Sequence, residues 1–264
     1  MPNKKNALPN QKNRLLGIEI LRFISAFSIL IWHYQHFSFI ADTPVNFEKE
    51  QQPFYSMLRI FYDHGYLGVN VFWCISGFIF FWKYRETLSN GIVDGKKFLI
   101  ARFSRLYPLH FVTLIIVMIL QFTNLSINNN FFIYQINDAF HFILQLFMTS
   151  YWGFDSGPSY NGPIWSISLE ILVYIMFFII LTKVSKSIFI NILILSICAA
   201  VKIIQDPAPS HEIINCIAFF YMGGLSAIVC HICNNKKYNF CDFYFGLCLH
   251  TYPFGLVAEF TQFF

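Results

Sequence analysis

Two side chains that can carry charge, Arg22 and His33, lie within one apolar run at residues 15–37 that is long enough to cross a membrane. An arginine near the middle of a membrane-spanning helix costs roughly 2.5–3.5 kcal/mol on insertion scales, so we expect it to have a partner or a task. Their eleven-residue separation is about three helical turns, which places both on nearly one helix face. We therefore predict that this helix forms the floor of an active site.

A carboxylate and two further guanidinium groups could complete this site. Residues 165–170, WSISLE, end in Glu170 and face the same side of the membrane as His33 in the topology that the charges predict. Arg102 and Arg105 lie at the opposite side, and Arg22 lies roughly 16 Å from His33 in the direction of that side. A phosphate-attracting entrance, a buried cation and an imidazole with a carboxylate suit the transfer of a group from an anionic carrier to an acceptor across the bilayer.

The composition indicates a membrane protein rather than a soluble domain. Hydrophobic residues make up 56% of the 264 residues and charged residues 12%, against about 45–50% and 25% in typical soluble proteins. The net charge of +4 is small and does not imply nucleic acid as a partner. Most of the seven cysteines lie inside apolar runs, so we expect no disulfide framework. We also expect no metal site.

The apolar runs predict an all-α, polytopic transmembrane helix bundle of about seven spans, since one span needs about 20 residues. The predicted spans are residues 15–37, 66–82, 106–125, 163–182, 188–205, 213–233 and 240–258. The run at 139–152 is too short for a span and favours a re-entrant or interfacial segment. The domain prediction is a cytoplasmic basic leader at 1–14, a transmembrane domain at 15–258 and a tail at 259–264.

The distribution of Lys and Arg predicts the orientation of the spans. The most basic loop follows the second span and contains Lys83, Arg85, Lys96, Lys97, Arg102 and Arg105. By the positive-inside rule this loop is cytoplasmic, as is the basic leader. The polar loop that contains residues 42–53 then faces outward. We expect a multi-pass protein with the start of the chain inside the cell.

Four motifs, taken in order, resemble the acyltransferase-3 family of polytopic bacterial membrane proteins, which O-acylate cell-surface sugars. The first is Arg22 and His33 with ten residues between them, and the second is GYLGVNVFWCISGF at 65–78. The third is RFSR at 102–105 with a proline at 108, and the fourth is WSISLE at 165–170. The resemblance covers roughly residues 15–181.

This resemblance implies a reaction, a donor and a location. Acetyl or another short acyl group would move from a cytoplasmic acyl-CoA to a hydroxyl of a carbohydrate at the outer face. Acyl-CoA would be the donor substrate, and no cofactor would be bound permanently. The protein would lie in the cytoplasmic (inner) membrane of a bacterium, with the lipid bilayer, the acyl-CoA and the carbohydrate as its partners.

The resemblance also assigns roles to residues. His33 would act as the general base, taking the proton of the acceptor hydroxyl, and Glu170 and Arg22 are the other predicted catalytic residues. Glu170 would orient His33 or stabilise its imidazolium, or else pair its charge with Arg22. Arg102 and Arg105 would clamp the phosphates of coenzyme A, although they could also serve only to set the topology. The predicted pocket-lining residues are Ser76, Trp165, Ser166 and Ser168.

Two alternatives stay open from the sequence. In a transporter or flippase-like carrier of an anionic metabolite or lipid-linked sugar, Arg22 would be a counter-charge for the substrate and no bond would be made. Family members are also expected to have more spans than this sequence predicts, and the family's closing-helix pattern is not found. We therefore expect a C-terminally truncated chain or a divergent last third.

Overall fold

Helices dominate the computed structural model, which describes the backbone of residues 11–204 and 211–235. The predicted span at 240–258, the tail and most of the leader lie outside the described residues. The helices are α1 (Gln11–Tyr34), α2 (Tyr55–His64), α3 (Leu67–Ser89), α4 (Gly95–Asn128), α5 (Ala139–Leu146), α6 (Trp165–Ile179), α7 (Ile188–Ile204) and α8 (His211–Asn235). A π-helical turn, Ile180–Val184, extends α6, and a small hairpin pairs β1 (Phe39–Ile40) with β2 (Thr43–Pro44).

Five helical segments of the described chain are long and apolar enough to cross a membrane. They are Leu16–Ser38, Leu67–Ser89, Gly95–Asn128, Gly162–Val184 and Glu212–Cys233, and the shorter apolar helix α7 is a sixth apolar element. Each of the first six predicted spans overlaps one of these six. The predicted all-α transmembrane bundle is thus confirmed, while the seventh predicted span lies beyond the described residues.

Helix α3 lies at the centre of the described bundle and packs most closely against α8. A β-carbon at Gly77 would collide with the carbonyl oxygen of Phe220, and one at Gly223 would collide with that of Cys74. Small residues let membrane helices approach closely, because little hydrophobic force acts between helices in lipid. Aromatic rings that are almost fully buried fill the core beside this crossing, among them Trp73, Phe80, Phe177 and Phe220.

Helices α1 and α3 run antiparallel, and two glycines of the second sequence motif fix their register. Gly65 lies against Ser28, and a β-carbon at Gly68 would lie 2.7 Å from the carbonyl oxygen of Ser25. Residue numbers rise along α3 in the direction in which they fall along α1. Ser28 is thus level with Gly65, and Arg22 is level with about Val71. His33 lies about five residues of α1, roughly 7 Å, beyond the level of Gly65 toward the hairpin end.

The two ends of the bundle differ in charge. At one end, called here the basic end, the Lys186 ammonium lies 2.6 Å from the Glu86 carboxylate, and Arg85 donates two hydrogen bonds to the Lys186 carbonyl. At the other end, the hairpin end, Ile40 forms a β-bridge with Phe132. Helix α2 also lies there. The sequence predicted only a polar loop at this place, because ten amphipathic residues are too short to register as a span.

The segment between α4 and α6 runs back along α4 toward the middle of the bundle. Gln121 donates to the Phe132 carbonyl at 2.7 Å, and the His110 imidazole lies 2.7 Å from the Gln145 carbonyl. Eleven residues of α4 separate these two contacts, which is a rise of about 16 Å. The short helix α5 lies within this returning segment. The contacts therefore favour a re-entrant segment over an interfacial one.

Candidate active site

A buried polar cluster joins α3 to α6. The hydroxyl groups of Ser76 and Tyr174 both donate to one carboxylate oxygen of Glu170, and the two hydroxyl oxygens lie 3.1 Å apart. Glu170 and Tyr174 are four residues apart, so they share one face of α6. The side chain of Glu170 thus has two hydroxyl partners within the bundle, which is what a carboxylate removed from water requires.

The start of α6 is held in place by the residues that flank this cluster. One turn before Ser76, the Trp73 indole donates to the Ser166 carbonyl at 3.3 Å, and its ring meets that of Trp165 edge-on at 5.7 Å. The hydroxyl of the fully buried Ser168 donates to the Ser150 carbonyl in the re-entrant segment. The predicted lining residues therefore fasten α6 to its neighbours and fix the position of Glu170.

Arg102 extends the cluster toward the basic end. Its guanidinium lies over the ring of Phe80, 4.6 Å from the centroid, and donates to the Tyr84 hydroxyl at 2.8 Å. Phe80 in turn stacks on Tyr174 with 4.1 Å between ring centroids. One aromatic ring thus separates Arg102 from the partners of Glu170. Arg105, one turn farther along α4, is exposed.

Arg22 finds its partner on its own helix. Its guanidinium lies 3.1 Å from the carboxylate of Glu19, one turn earlier, and the two side chains are 33% and 60% exposed. The expected pairing of Arg22 with Glu170 is therefore not a direct contact among the described residues. By the register of α1 against α3, Arg22 lies within about five residues of the level of Ser76, the partner of Glu170.

The His33 imidazole is oriented by a backbone carbonyl. Its Nδ1 lies 2.8 Å from the carbonyl oxygen of Ile29. Because a carbonyl can only accept, Nδ1 donates, and in the neutral imidazole Nε2 then keeps its lone pair. Within the described part of the chain, Nε2 has no hydrogen-bond partner. The ring meets Trp32 edge-on at 4.9 Å and lies 5.4 Å from the ring of His36.

His33 and Glu170 lie at different depths. His33 lies about five residues beyond the level of Gly65, whereas Glu170 is bonded to Ser76, eleven residues after Gly65, so roughly 24 Å of rise separates their levels. They make no hydrogen bond among the described residues. The Ile29 carbonyl, rather than Glu170, therefore orients the imidazole. Arg22, Arg102 and Glu170 lie farther from the hairpin end than His33.

Three participants are absent from the sequence prediction: Tyr174, Phe80 and Tyr84. The four-residue spacing of Glu170 and Tyr174 is a local signal that could have identified Tyr174. The stacking of Arg102 on Phe80 and its bond to Tyr84 join α4 to α3, and no local pattern in the sequence indicates them. The same holds for the contact between Ser76 and Glu170.

Of the comparisons with known proteins, the one with protein-family models gives a match. The model of an acyltransferase domain, that of the acyltransferase-3 family, matches residues 15–255, which is most of the chain. No curated protein and no solved structure matches the chain. The matched range contains all four motifs and every helix that contributes to the site. The chain therefore belongs to the acyltransferase-3 family and is a multi-pass membrane acyltransferase.

Proposed function

We propose that this acyltransferase moves an acetyl or other short acyl group from cytoplasmic acyl-CoA to a hydroxyl of a cell-surface carbohydrate. The observation that carries the proposal is the contact between His33 Nδ1 and the Ile29 carbonyl. The Ile29 carbonyl holds the proton on Nδ1 and leaves the Nε2 lone pair without a partner among the described residues. A neutral imidazole with a free nitrogen is what a general base needs.

In the proposed step, Nε2 of His33 takes the proton of the acceptor hydroxyl while the hydroxyl oxygen attacks the thioester carbon. The new carbon–oxygen bond forms and the carbon–sulfur bond breaks. The imidazolium then returns the proton to the departing sulfur, which leaves as the thiol of coenzyme A. His33 ends the cycle neutral, as it began, and the ester product carries the acyl group.

The positive charges support a donor that enters from the basic end. The guanidinium of Arg102 lies over Phe80, fifteen residues after Gly65, and His33 lies about five residues beyond Gly65, so roughly 30 Å of rise separates their levels. In the proposal, Arg102 and Arg105 bind the phosphates of the donor, and its thioester arm extends toward His33. Arg22 adds positive charge between these levels. Glu170, fixed by Ser76 and Tyr174, keeps α3 and α6 together along this route.

The direction of transfer follows from the charges at the two ends. The cluster of Lys and Arg at the basic end favours a cytoplasmic position in the membrane of a bacterium. His33 then lies toward the outside, where an acceptor sugar would meet it. A glycan mass analysis of cells with and without the gene tests the reaction, because one acyl group per modified sugar changes the glycan mass.

The variant His33→Ala tests the proposed base. We expect the glycan to lose its acyl groups while the protein still inserts into the membrane. His64→Ala is the matched control, since His64 is an exposed histidine at the same end of the bundle. Acylation that persists undiminished in His33→Ala refutes the role of His33.

Purified protein tests the donor directly. Incubation with labelled acetyl-CoA and the surface glycan is expected to give labelled glycan and free coenzyme A. Transfer only from another acyl carrier, with acetyl-CoA and longer acyl-CoA species inert, overturns the donor assignment. That result would not affect the assignment of His33 as the base, which the variant His33→Ala tests separately.

A further inference from the structure

A second polar cluster lies in the re-entrant segment, outside the site described above. The Nδ1 of His141 lies 2.8 Å from Oδ1 of Asp138, and its Nε2 lies 3.0 Å from the hydroxyl oxygen of Ser156. Asp138 precedes α5 and caps it by accepting the backbone N–H of His141 at 2.8 Å. A carboxylate, an imidazole and a hydroxyl are thus connected in series.

The hydrogen bonds fix the tautomer of His141. The backbone N–H of Ser156 also donates to Nε2, at 3.2 Å. Because a backbone N–H can only donate, Nε2 carries the lone pair, and Nδ1 carries the proton that points to Asp138. The backbone and ring N–H groups of His141 lower the pKa of Asp138, so its carboxylate is charged at neutral pH. This is the arrangement in which a histidine activates a hydroxyl.

The base of this cluster is buried and the hydroxyl is exposed, as a nucleophilic site requires. The His141 side chain is only 4% exposed, whereas Ser156 is exposed and so accessible to a substrate. The surrounding backbone is tied down by Tyr160, whose N–H and hydroxyl both bond to Asn137 next to Asp138. The hydroxyl is thus available while the base that faces it is held in place.

A contact of the neighbouring Asn161 with α4 places this part of the chain below the hairpin end. Asn161 donates to Thr113 at 3.0 Å, and Thr113 is eight residues of α4, roughly 12 Å, from the Gln121 level near the hairpin end. Irregular backbone at membrane depth is stable only where it is buried in protein or lines a water-filled cavity. Ser156 is exposed and the Asp138 side chain is 58% exposed, so we expect both to be in contact with water.

We propose that Asp138, His141 and Ser156 form a second acyl-transfer site, in which Ser156 is a nucleophile for an ester or thioester. The Ser156 oxygen bonds to the acyl carbon as its proton moves to Nε2 of His141. The bond to the leaving alcohol or thiol breaks, and that group takes the proton. A hydroxyl or water then gives its proton to His141 and attacks the acyl-serine, and Ser156 regains its proton.

This proposal is independent of His33 and of acyl-CoA, and a fluorescent fluorophosphonate, a probe for activated serines, tests it. We expect the purified full-length protein in lipid nanodiscs to be labelled, and peptide mass mapping to place the label on Ser156. Ser156→Ala should lower the labelling rate by roughly 10²-fold or more. Ser126→Ala, which removes another exposed serine, should label like the wild type.

Asp138→Asn separates activation from folding. The amide oxygen can still cap α5, whereas the charge that stabilises an imidazolium is lost, so labelling should fall by roughly tenfold or more at an unchanged unfolding temperature. Three results overturn the proposal: wild-type protein that is not labelled, a label on a serine other than Ser156, or Asp138→Asn that labels at the wild-type rate. The last result makes the cluster a helix cap alone.

Discussion

Ser76 donates a hydrogen bond to Glu170 although 94 residues separate them in the chain. Tyr174 donates to the same carboxylate oxygen from one turn farther along α6. Helix α3 is thus joined to α6 by a polar contact within a bundle whose other contacts are mostly apolar. In such surroundings the hydroxyl groups of Ser76 and Tyr174 depend on Glu170 as their acceptor. If Glu170 is removed, both buried donors are left without a partner.

The variant Glu170→Ala should therefore destabilise the bundle. The hydroxyl groups of Ser76 and Tyr174 lose their shared acceptor, and each unsatisfied buried group costs about 1–3 kcal/mol. Glu170→Gln keeps an amide oxygen at that position and should lose less. Unfolding of purified protein in detergent by titration with sodium dodecyl sulfate measures both. Equal stability of Glu170→Ala and wild type would contradict the structural role of the cluster.

The contrast between Glu170 and His33 shows what the sequence could predict. Hydropathy and charge located the helices that carry both residues, because those signals are local and strong. The depth of each residue depends on how the helices slide against one another. That register is set by packing such as Gly68 against Ser25, which no local pattern encodes. The expected contact of His33 with Glu170 failed for this reason.

The close crossing of α3 and α8 gives a second prediction. A methyl group at Gly77 would collide with backbone atoms of Phe220, which cannot move as a side chain can. Gly77→Ala should therefore destabilise the protein by about 1–3 kcal/mol or prevent the helices from packing. Gly17→Ala is the matched control, since nothing lies within 4 Å of the added carbon. It should be neutral or slightly stabilising, because alanine favours helix. If both variants unfold alike in the same detergent assay, the crossing is not as close as described.

The second polar cluster was also missed from the sequence, although part of its signal is local. Asp138 and His141 are three residues apart at the start of an apolar run, a spacing typical of a capped helix. That spacing predicts a cap but says nothing of Ser156, which reaches His141 from beyond the end of α5. The third member depends on how residues 147–161 turn back, and single-residue patterns do not determine such turns.

Acid should weaken the hairpin end. Burial of Asp63 is outweighed by hydrogen bonds and charge from Lys49 and Arg59, so the pKa of Asp63 lies below its usual value. A lowered pKa stabilises the fold fully above the ordinary value of about 3.9, and this stabilisation is lost as the pH falls from that value through the lower pKa of the folded protein. At pH 7, Asp63→Asn should therefore unfold at a lower temperature than the wild type. This difference in unfolding temperature should vanish in stronger acid.

The control for this pH dependence is Glu50→Gln. Glu50 is an exposed carboxylate at the same end of the bundle, with no ion pair among the described residues. Its removal should leave the unfolding temperature unchanged at every pH, because an isolated surface charge contributes little to stability. A constant difference between wild type and Asp63→Asn from neutral pH to strong acid would contradict the ion pairs as its cause.

Arg102 should affect the binding of the donor more than the chemical step. Its guanidinium is held over Phe80 and bonded to Tyr84, so it is fixed before any anion arrives. Because a hydrogen bond to a charged group is worth about 1.5–3 kcal/mol, Arg102→Ala should raise the KM for acyl-CoA by roughly ten- to a hundredfold. Arg102→Lys should restore only part of this, since lysine keeps the charge but not the planar fork.

Steady-state kinetics in nanodiscs measure the effect of these variants on KM and kcat. Lys97→Ala is the control, since Lys97 is an exposed residue on the same helix. A fall in kcat at constant KM would instead place Arg102 in the chemical step, through its charge on Glu170.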